Sequence, residues 1–319
     1  MKITHDLHTH TLMSSCSFDP HATMQAYVDK ASELGHTVIG ISNHLWDEKV
    51  PGASEWYAGQ CVSYGFEEKY AIPADTHGVR VLFGAETEYC GMTKTLGMSA
   101  ETGARFDYIL VPHTHSHMKN FVMEENDDVK AYRNDFCAKL EKAFPELGHA
   151  LACKMTNAMS YNEVRARLAA PKVDEVKYHV EFCFSSFETL MAHAEFRKLT
   201  AAVKTFIAHP FWPCGLSGDE VYTALNLILA EEDRLFNDFK ACAALGVGLD
   251  VNMDCYHFDV CDLNDNPMVK IMRVAKRAGC KFIFGTDGHA VADLEDIRRG
   301  EAVADAIGIC EDNLDDIVK

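Results

Sequence analysis

No stretch of this chain reaches the roughly 18 consecutive apolar residues that a membrane-spanning helix needs, so no membrane partner is expected. The N-terminus has no apolar signal core either, since Asp6, His8 and His10 arrive too early for one. The 12 cysteines include no Cys-x-x-Cys pair, and many, such as Cys183, Cys242 and Cys280, stand singly in apolar surroundings. Reduced thiols in a cytoplasmic protein are the expectation. Positive charge is scarce: 30 basic against 48 acidic residues leave a net charge of -18. That balance disfavours nucleic acid and anionic membranes as partners. It leaves room for a small anionic substrate held by cations and a few local bases. Internal repeats, low-complexity tracts and Pro/Ser linkers are also missing, so residues 1–319 read as a single domain. The signatures of covalent hydrolytic catalysis are absent too: no Cys-x5-Arg loop, no Asp-x-Asp-x-Thr/Val motif and no Gly-x-Ser-x-Gly elbow. The nearest glycine pattern, Gly246-Val247-Gly248, lacks the third glycine and the following helix start of a nucleotide fingerprint.

What the chain does have is a series of short apolar runs that end in metal-type side chains. Strands are expected at Lys2–His8, Val38–Ser42, Val79–Ala85, Phe106–Val111, Lys204–Ala208, Val247–Val251 and Lys281–Phe284. Helical spacing separates them. One helix is expected after Asp19-Pro20, carrying Met24, Tyr27, Val28, Ala31 and Leu34 and ending at Gly35. Others follow around 60–71, from Asp219 to about Leu245, from Met268 to Ala278 and from about Asp293. Residues 124–200 read as mostly helical without a clear strand. Buried strands alternating with helices imply an α/β fold with a parallel sheet. Closing that sheet into a distorted (β/α)7 barrel gathers every strand's C-terminal end on one rim, where such barrels keep their sites. An open doubly wound sheet, the alternative, would spread the same groups along a line.

The opening motif Asp6-Leu7-His8-Thr9-His10 places two imidazoles on one side of an extended segment, a start for a metal site. A single histidine at a strand end is usually a hydrogen-bonded structural residue. That reading holds here for His5, His36, His77, His149, His179 and His193, and for His257 in its acidic loop. It weakens for His8, His10, His44, His115, His209 and His289, because their placement repeats at successive strand ends together with Glu86 and Asp287.

These residues resemble the polymerase-and-histidinol-phosphatase (PHP) family. The resemblance rests on Asp6-Leu7-His8-Thr9-His10, Ser42-Asn43-His44, Gly84-Ala85-Glu86, the cluster at His115, Ala208-His209-Pro210, Leu249-Asp250-Val251-Asn252 and Gly285-Thr286-Asp287-Gly288-His289, in that order. It implies a barrel of seven strands and seven helices with two or three divalent ions, zinc, iron or manganese, at the rim. It also implies hydrolysis of a phosphomonoester in the histidinol-phosphatase-like manner, by a metal-bridging hydroxide. Of the residues, it implies that His8, His10, Glu86 and Asp287 hold one ion, and that Glu86, His115 and His209 hold a second. His44, His289 and either Cys16 or Asp19 would hold a third. Glu86, Asp287 and His289 are the implied catalytic residues. Two departures stand out: Asn43 where relatives often carry Asp, and Asp250 where Glu is commoner. The three alternate histidines at 113, 115 and 117 leave the register of the fourth motif open, with His115 preferred.

A small phosphorylated substrate is therefore expected. Lys119, Lys154, Arg197 and Arg298 are candidates to steady its phosphate, and Trp46 and Phe211-Trp212 to wall its pocket or to pack in the core. Three other readings use the same rim: an amidohydrolase-like hydrolase of C–N or carboxylic ester bonds, a phosphodiesterase, and a non-catalytic metal binder. The first would bridge its metals through a modified lysine, where this chain offers Glu86. The last needs a rim closed to substrate.

Overall fold

The structure, a computed structural model, describes residues 1–69, 72–73, 75–256 and 262–319; His257 lies outside the described residues. Seven parallel strands are hydrogen-bonded in chain order: β1 (His5–Asp6), β2 (Val38–Ile41), β3 (Arg80–Glu86), β4 (Tyr108–Pro112), β5 (Lys204–Ala208), β6 (Gly248–Asn252) and β7 (Phe282–Gly285). The sheet curls until its edges meet. Leu7 N–H donates to Phe284 O at 2.9 Å, His10 N–H donates to Gly288 O at 2.8 Å, and Thr9 bridges Gly288 in parallel. The result is a nearly closed seven-stranded barrel with helices around it. All seven C-terminal strand ends lie on one rim, because every strand runs the same way.

Large side chains fill the barrel, and glycines on neighbouring strands make room for them. The Tyr108 ring lies across β3, where a Cβ on Gly84 would sit 2.3 Å from Tyr108 Cζ. Its hydroxyl donates to Leu7 O at 2.7 Å, tying β4 to the segment after β1. A Cβ on Gly285 would sit 2.3 Å from His8 Cβ, so β7 needs glycine at its end to admit the first rim histidine. Overpacking a filled core costs about 1–3 kcal/mol. Gly84→Ala should therefore lower the urea midpoint by that much stability without changing the slope; an unchanged midpoint would show that Tyr108 has room to move.

Several element boundaries differ from the sequence reading. β1 is only His5–Asp6; beyond it the chain follows the seam by isolated hydrogen bonds. The first helix, Met24–Leu34, starts at Thr23, whose side chain caps Ala26 N–H, and not at Asp19-Pro20. It does end at Gly35, in the left-handed conformation with φ 74°. The long helix after Asp219 is two, Asp219–Ala230 and Glu232–Ala244, broken at Glu231. The stretch at Val291–Arg299 is a 3-10 turn, followed by the helix Gly300–Ile307. Residues 124–200 are helical as expected, including Asp127–Ala143, Gly148–Asn157 and Glu175–Ala192. Among the described residues no helix is long and apolar enough to cross a membrane.

Candidate metal centre

Glu86, the last residue of β3, is the hub of the rim. It is 1% exposed, and its backbone is fixed by the segment that follows β2, since Glu86 N–H donates to Ser42 O and Leu45 N–H to Glu86 O. Its Oε2 lies 3.2 Å from His8 Nε2 and 3.4 Å from both His10 Nε2 and His44 Nε2. Its Oε1 lies 3.4 Å from His209 Nε2 and 3.7 Å from His115 Nε2. Asp287, past β7, puts Oδ1 3.1 Å from His10 Nε2 and 3.3 Å from His8 Nε2.

Three overlapping groups result, each with its donor atoms within 4.8 Å of one another: His8, His10, Glu86 and Asp287; Glu86, His115 and His209; and His10, Cys16, His44 and His289. Every side chain expected to bind metal falls into at least one of them. Between the alternatives Cys16 and Asp19, Cys16 joins. Asp19 instead accepts from His21 N–H and Val291 N–H, shaping the loop beyond His289.

The donors suit divalent cations. Glu86 Oε1 is buried without a hydrogen-bond partner. His115 Nε2 and His209 Nε2 face each other at 3.1 Å, beside that same oxygen. Imidazole nitrogens and carboxylate oxygens gathered this closely match zinc, iron(II) or manganese. The electrostatics ready the carboxylates and part of the imidazole set. Burial works against a charged Glu86, yet His44 and His8 hold its carboxyl well below the usual range. Burial likewise opposes a charged Asp287, and His8 and His10 more than offset it. Burial keeps His44 neutral and pushes His10 down to about 4, leaving lone pairs to donate. His115 is driven the other way, to about 9, because Glu88 and Glu86 outweigh its burial; a cation there would have to displace a proton.

The supporting residues were only partly legible in the sequence. His8 Nδ1 donates to Asp250 Oδ2 at 2.7 Å, which turns Nε2 toward Glu86. His115 Nδ1 does the same with Glu88 at 2.7 Å. Glu88 is absent from the sequence reading, although its position two residues after Glu86 on an extended segment was a usable signal. Asn252 donates to Asp287 Oδ2 at 3.1 Å. Asp6 does not join the rim cluster: it accepts from the Thr286 hydroxyl at 2.6 Å and from the N–H groups of Thr286 and His8, fastening the barrel seam. Asn43 also serves the scaffold, accepting from Thr11 N–H and the Ser14 hydroxyl. Of the three alternate histidines, His115 is the one that joins the rim group. His113 accepts Phe211 N–H at 3.0 Å and packs on Phe187, while His117 lines the pocket beside His115.

Two of the residues here adopt positive φ: His209 at 31° and Asp287 at 57°. A non-glycine residue held there costs on the order of 1–3 kcal/mol, a cost that proteins tolerate chiefly at functional positions.

The rim opens into a pocket of about 1050 Å³, so it is not closed to substrate. Trp56 and Trp212 line it, together with Lys119, Asn157, Ser160 and Tyr161. Trp46 and Phe211 are buried instead, the latter against Phe184, Phe187 and Phe239. Of the four bases expected to meet phosphate, only Lys119 lines this pocket. Arg298 pairs with Glu295 and Arg197 with the Met191 carbonyl, and Lys154 is exposed and does not line it. The 124–200 segment therefore supplies one wall of the pocket.

The PHP domain family model matches residues 6–185. Among solved structures, the histidinol phosphate phosphatase of Lactococcus lactis subsp. lactis, solved with zinc, L-histidinol and phosphate, superposes with a TM-score of 0.53 at 15% identity. That alignment covers 97% of this chain and 95% of the other. A Listeria monocytogenes protein described as a histidinol phosphatase aligns over 93% of this chain and 98% of its own, at 16% identity and a TM-score of 0.49. No curated protein matches the sequence. At these identities the first likeness speaks for the barrel.

Proposed function

The chain belongs to the PHP domain family and is a metal-dependent phosphoesterase, a hydrolase; on that premise we propose that it removes phosphate from a small phosphomonoester, in the manner of histidinol phosphatases. The observation that carries this reading is Glu86, one buried carboxylate with each oxygen turned to a different set of imidazoles. His8, His10 and Asp287 with Glu86 Oε2 would hold one ion, and His115 and His209 with Glu86 Oε1 a second. His44, His289 and Cys16 would hold a third. Divalent ions bound there activate water at neutral pH and offset charge on a phosphoryl group.

The chain's own residues do the rest. Glu86, Asp287 and His289 are the residues proposed to act at the reacting phosphate, with His289 on its pocket side. Asp250 and Glu88 fix the tautomers of His8 and His115 by accepting hydrogen bonds from their Nδ1–H groups. Such outer contacts are typically worth 10–100-fold in metal affinity, so Glu88→Gln should weaken binding of one ion by about that factor in a competition titration. An unchanged affinity would reduce Glu88 to a packing role.

Of the candidate bases, Lys119, which lines the pocket, would steady the phosphate. Its Nζ lies 3.1 Å from His179 Nε2 and 4.4 Å from the Tyr161 ring centroid. Burial lowers its ammonium to about 8, with Glu175 and Glu125 opposing and Arg165 adding to the shift. The amine is charged below that value and neutral above it. kcat/KM should then fall as pH rises through about 8, and Lys119→Arg should move that limb upward. A limb that stays put in Lys119→Arg would exclude Lys119 from phosphate binding.

The eleven described cysteines are free thiols, in keeping with the reducing cytoplasm we propose for it. The function is tested by phosphate release from a panel of phosphomonoesters, histidinol phosphate included, with zinc, iron or manganese supplied. Turnover is expected there. Inertness toward all of them, with turnover of a carboxylic ester or amide, would overturn the reading.

A further inference from the structure

A second cluster of metal-type side chains lies outside the rim, on the helices Asp127–Ala143 and Gly148–Asn157. Cys137 and Glu141 are four residues apart on the first, and His149 and Cys153 are four apart on the second. That spacing puts each pair on one helix face. The helices pack so that the two faces meet. Cys137 Sγ lies 3.0 Å from Cys153 Sγ and 3.5 Å from Glu141 Oε1. Cys153 Sγ lies 3.5 Å from His149 Nε2, and His149 Nδ1 bonds Glu141 Oε1. All four donor atoms lie within 4.8 Å of one another. Tetrahedral zinc with sulfur, nitrogen and oxygen ligands separates its donors by ~3.3–3.8 Å, so small side-chain adjustments suffice.

We propose that Cys137, Glu141, His149 and Cys153 form a structural zinc site, separate from the rim. Two thiolates with an imidazole and a carboxylate select zinc over the harder ions, and four protein donors close the coordination shell.

The packing supplies an independent reason. The helix 127–143 buries only Val129 and Cys137, and the helix 148–157 only Ala152 and Thr156. Phe144, Leu151 and Met155 are exposed. A ten-residue helix with so little buried surface is marginal by itself, and a cross-link between the two helices makes up the shortfall. The clip also bears on the pocket. Arg133 lies one turn before Cys137 and Asn157 one turn after Cys153, and both line the pocket wall. Arg133 joins the helices there as well, donating to Glu125 and to the carbonyls of Thr156 and Met159. Zinc at the far end would lock the same pair of helices in register.

The test is metal content of the whole purified chain by elemental mass spectrometry, in wild type, Cys137→Ser/Cys153→Ser and His149→Ala. His149 is exposed, so its removal leaves folding intact if the cysteine variant fails to fold. Each variant should carry one zinc equivalent per chain fewer than wild type. Cobalt-loaded Cys16→Ser protein should show a sulfur-to-cobalt charge-transfer band that is lost when Cys137→Ser and Cys153→Ser are added to it. Equal zinc in wild type and His149→Ala would overturn the site. So would a Cys137–Cys153 disulfide, detected as a mass lower by two hydrogens. Neither result depends on phosphatase activity or on ions at the rim.

Discussion

Glu86→Gln should lower phosphomonoesterase activity by about three orders of magnitude while circular dichroism stays unchanged. The amide keeps the volume and the backbone contacts with Ser42 and Leu45. It loses the negative charge that both imidazole groups face, and one of its ends becomes an N–H donor. That donor would point at either His8, His10 and His44 or His115 and His209, all within 3.2 to 3.7 Å of the present oxygens. A metal's contribution to stabilising transition-state charge is several kcal/mol, and about 4 kcal/mol corresponds to three decades in rate. Metal content at the rim should fall with activity. Full activity in Glu86→Gln would mean that the two sets of imidazoles work without a shared carboxylate.

Stripping metal with a chelator should abolish activity and lower the melting temperature together. An ion held at a thousand times its dissociation constant adds about 4.1 kcal/mol to folding. At roughly 2 °C per kcal/mol for a large domain, losing one such ion lowers the melting temperature by on the order of 8 °C. Without cations, Glu86 and Asp287 lean on His8 and its neighbours for compensation. Restoring zinc, iron or manganese should recover both properties. A melting temperature indifferent to chelation, in protein shown to have lost its metal, would contradict the coupling.

The rim was legible because its logic is local. His8 and His10 alternate along one extended segment, and each later group directly follows an apolar run, so a closed parallel barrel suffices to bring them together. What the same alternation could not tell was which polar neighbour faces which partner. Asp6 and Asn43 stand beside ligand-type histidines in the motif, yet both bond the scaffold, because Thr286 and the loop at Thr11–Ser14 offer them nearer donors. Glu88 escaped notice although its spacing from Glu86 placed it on the right side. Helix starts shifted where a side chain cap competed with proline, as at Thr23. The 124–200 segment showed its helices but not its contribution to the pocket, since the contacts of Tyr161 and Asn157 are long-range. His149 looked structural when taken alone; its partners become apparent only when the Cys137/Glu141 and His149/Cys153 spacings are set side by side.

The most direct test is anomalous diffraction at the zinc edge from crystals grown with zinc. Two peaks flanking the Glu86 carboxylate are predicted, one among His8, His10 and Asp287 and the other between His115 and His209. A single ion that leaves Glu86 untouched, or a rim that stays vacant in zinc-saturated crystals, would contradict the account.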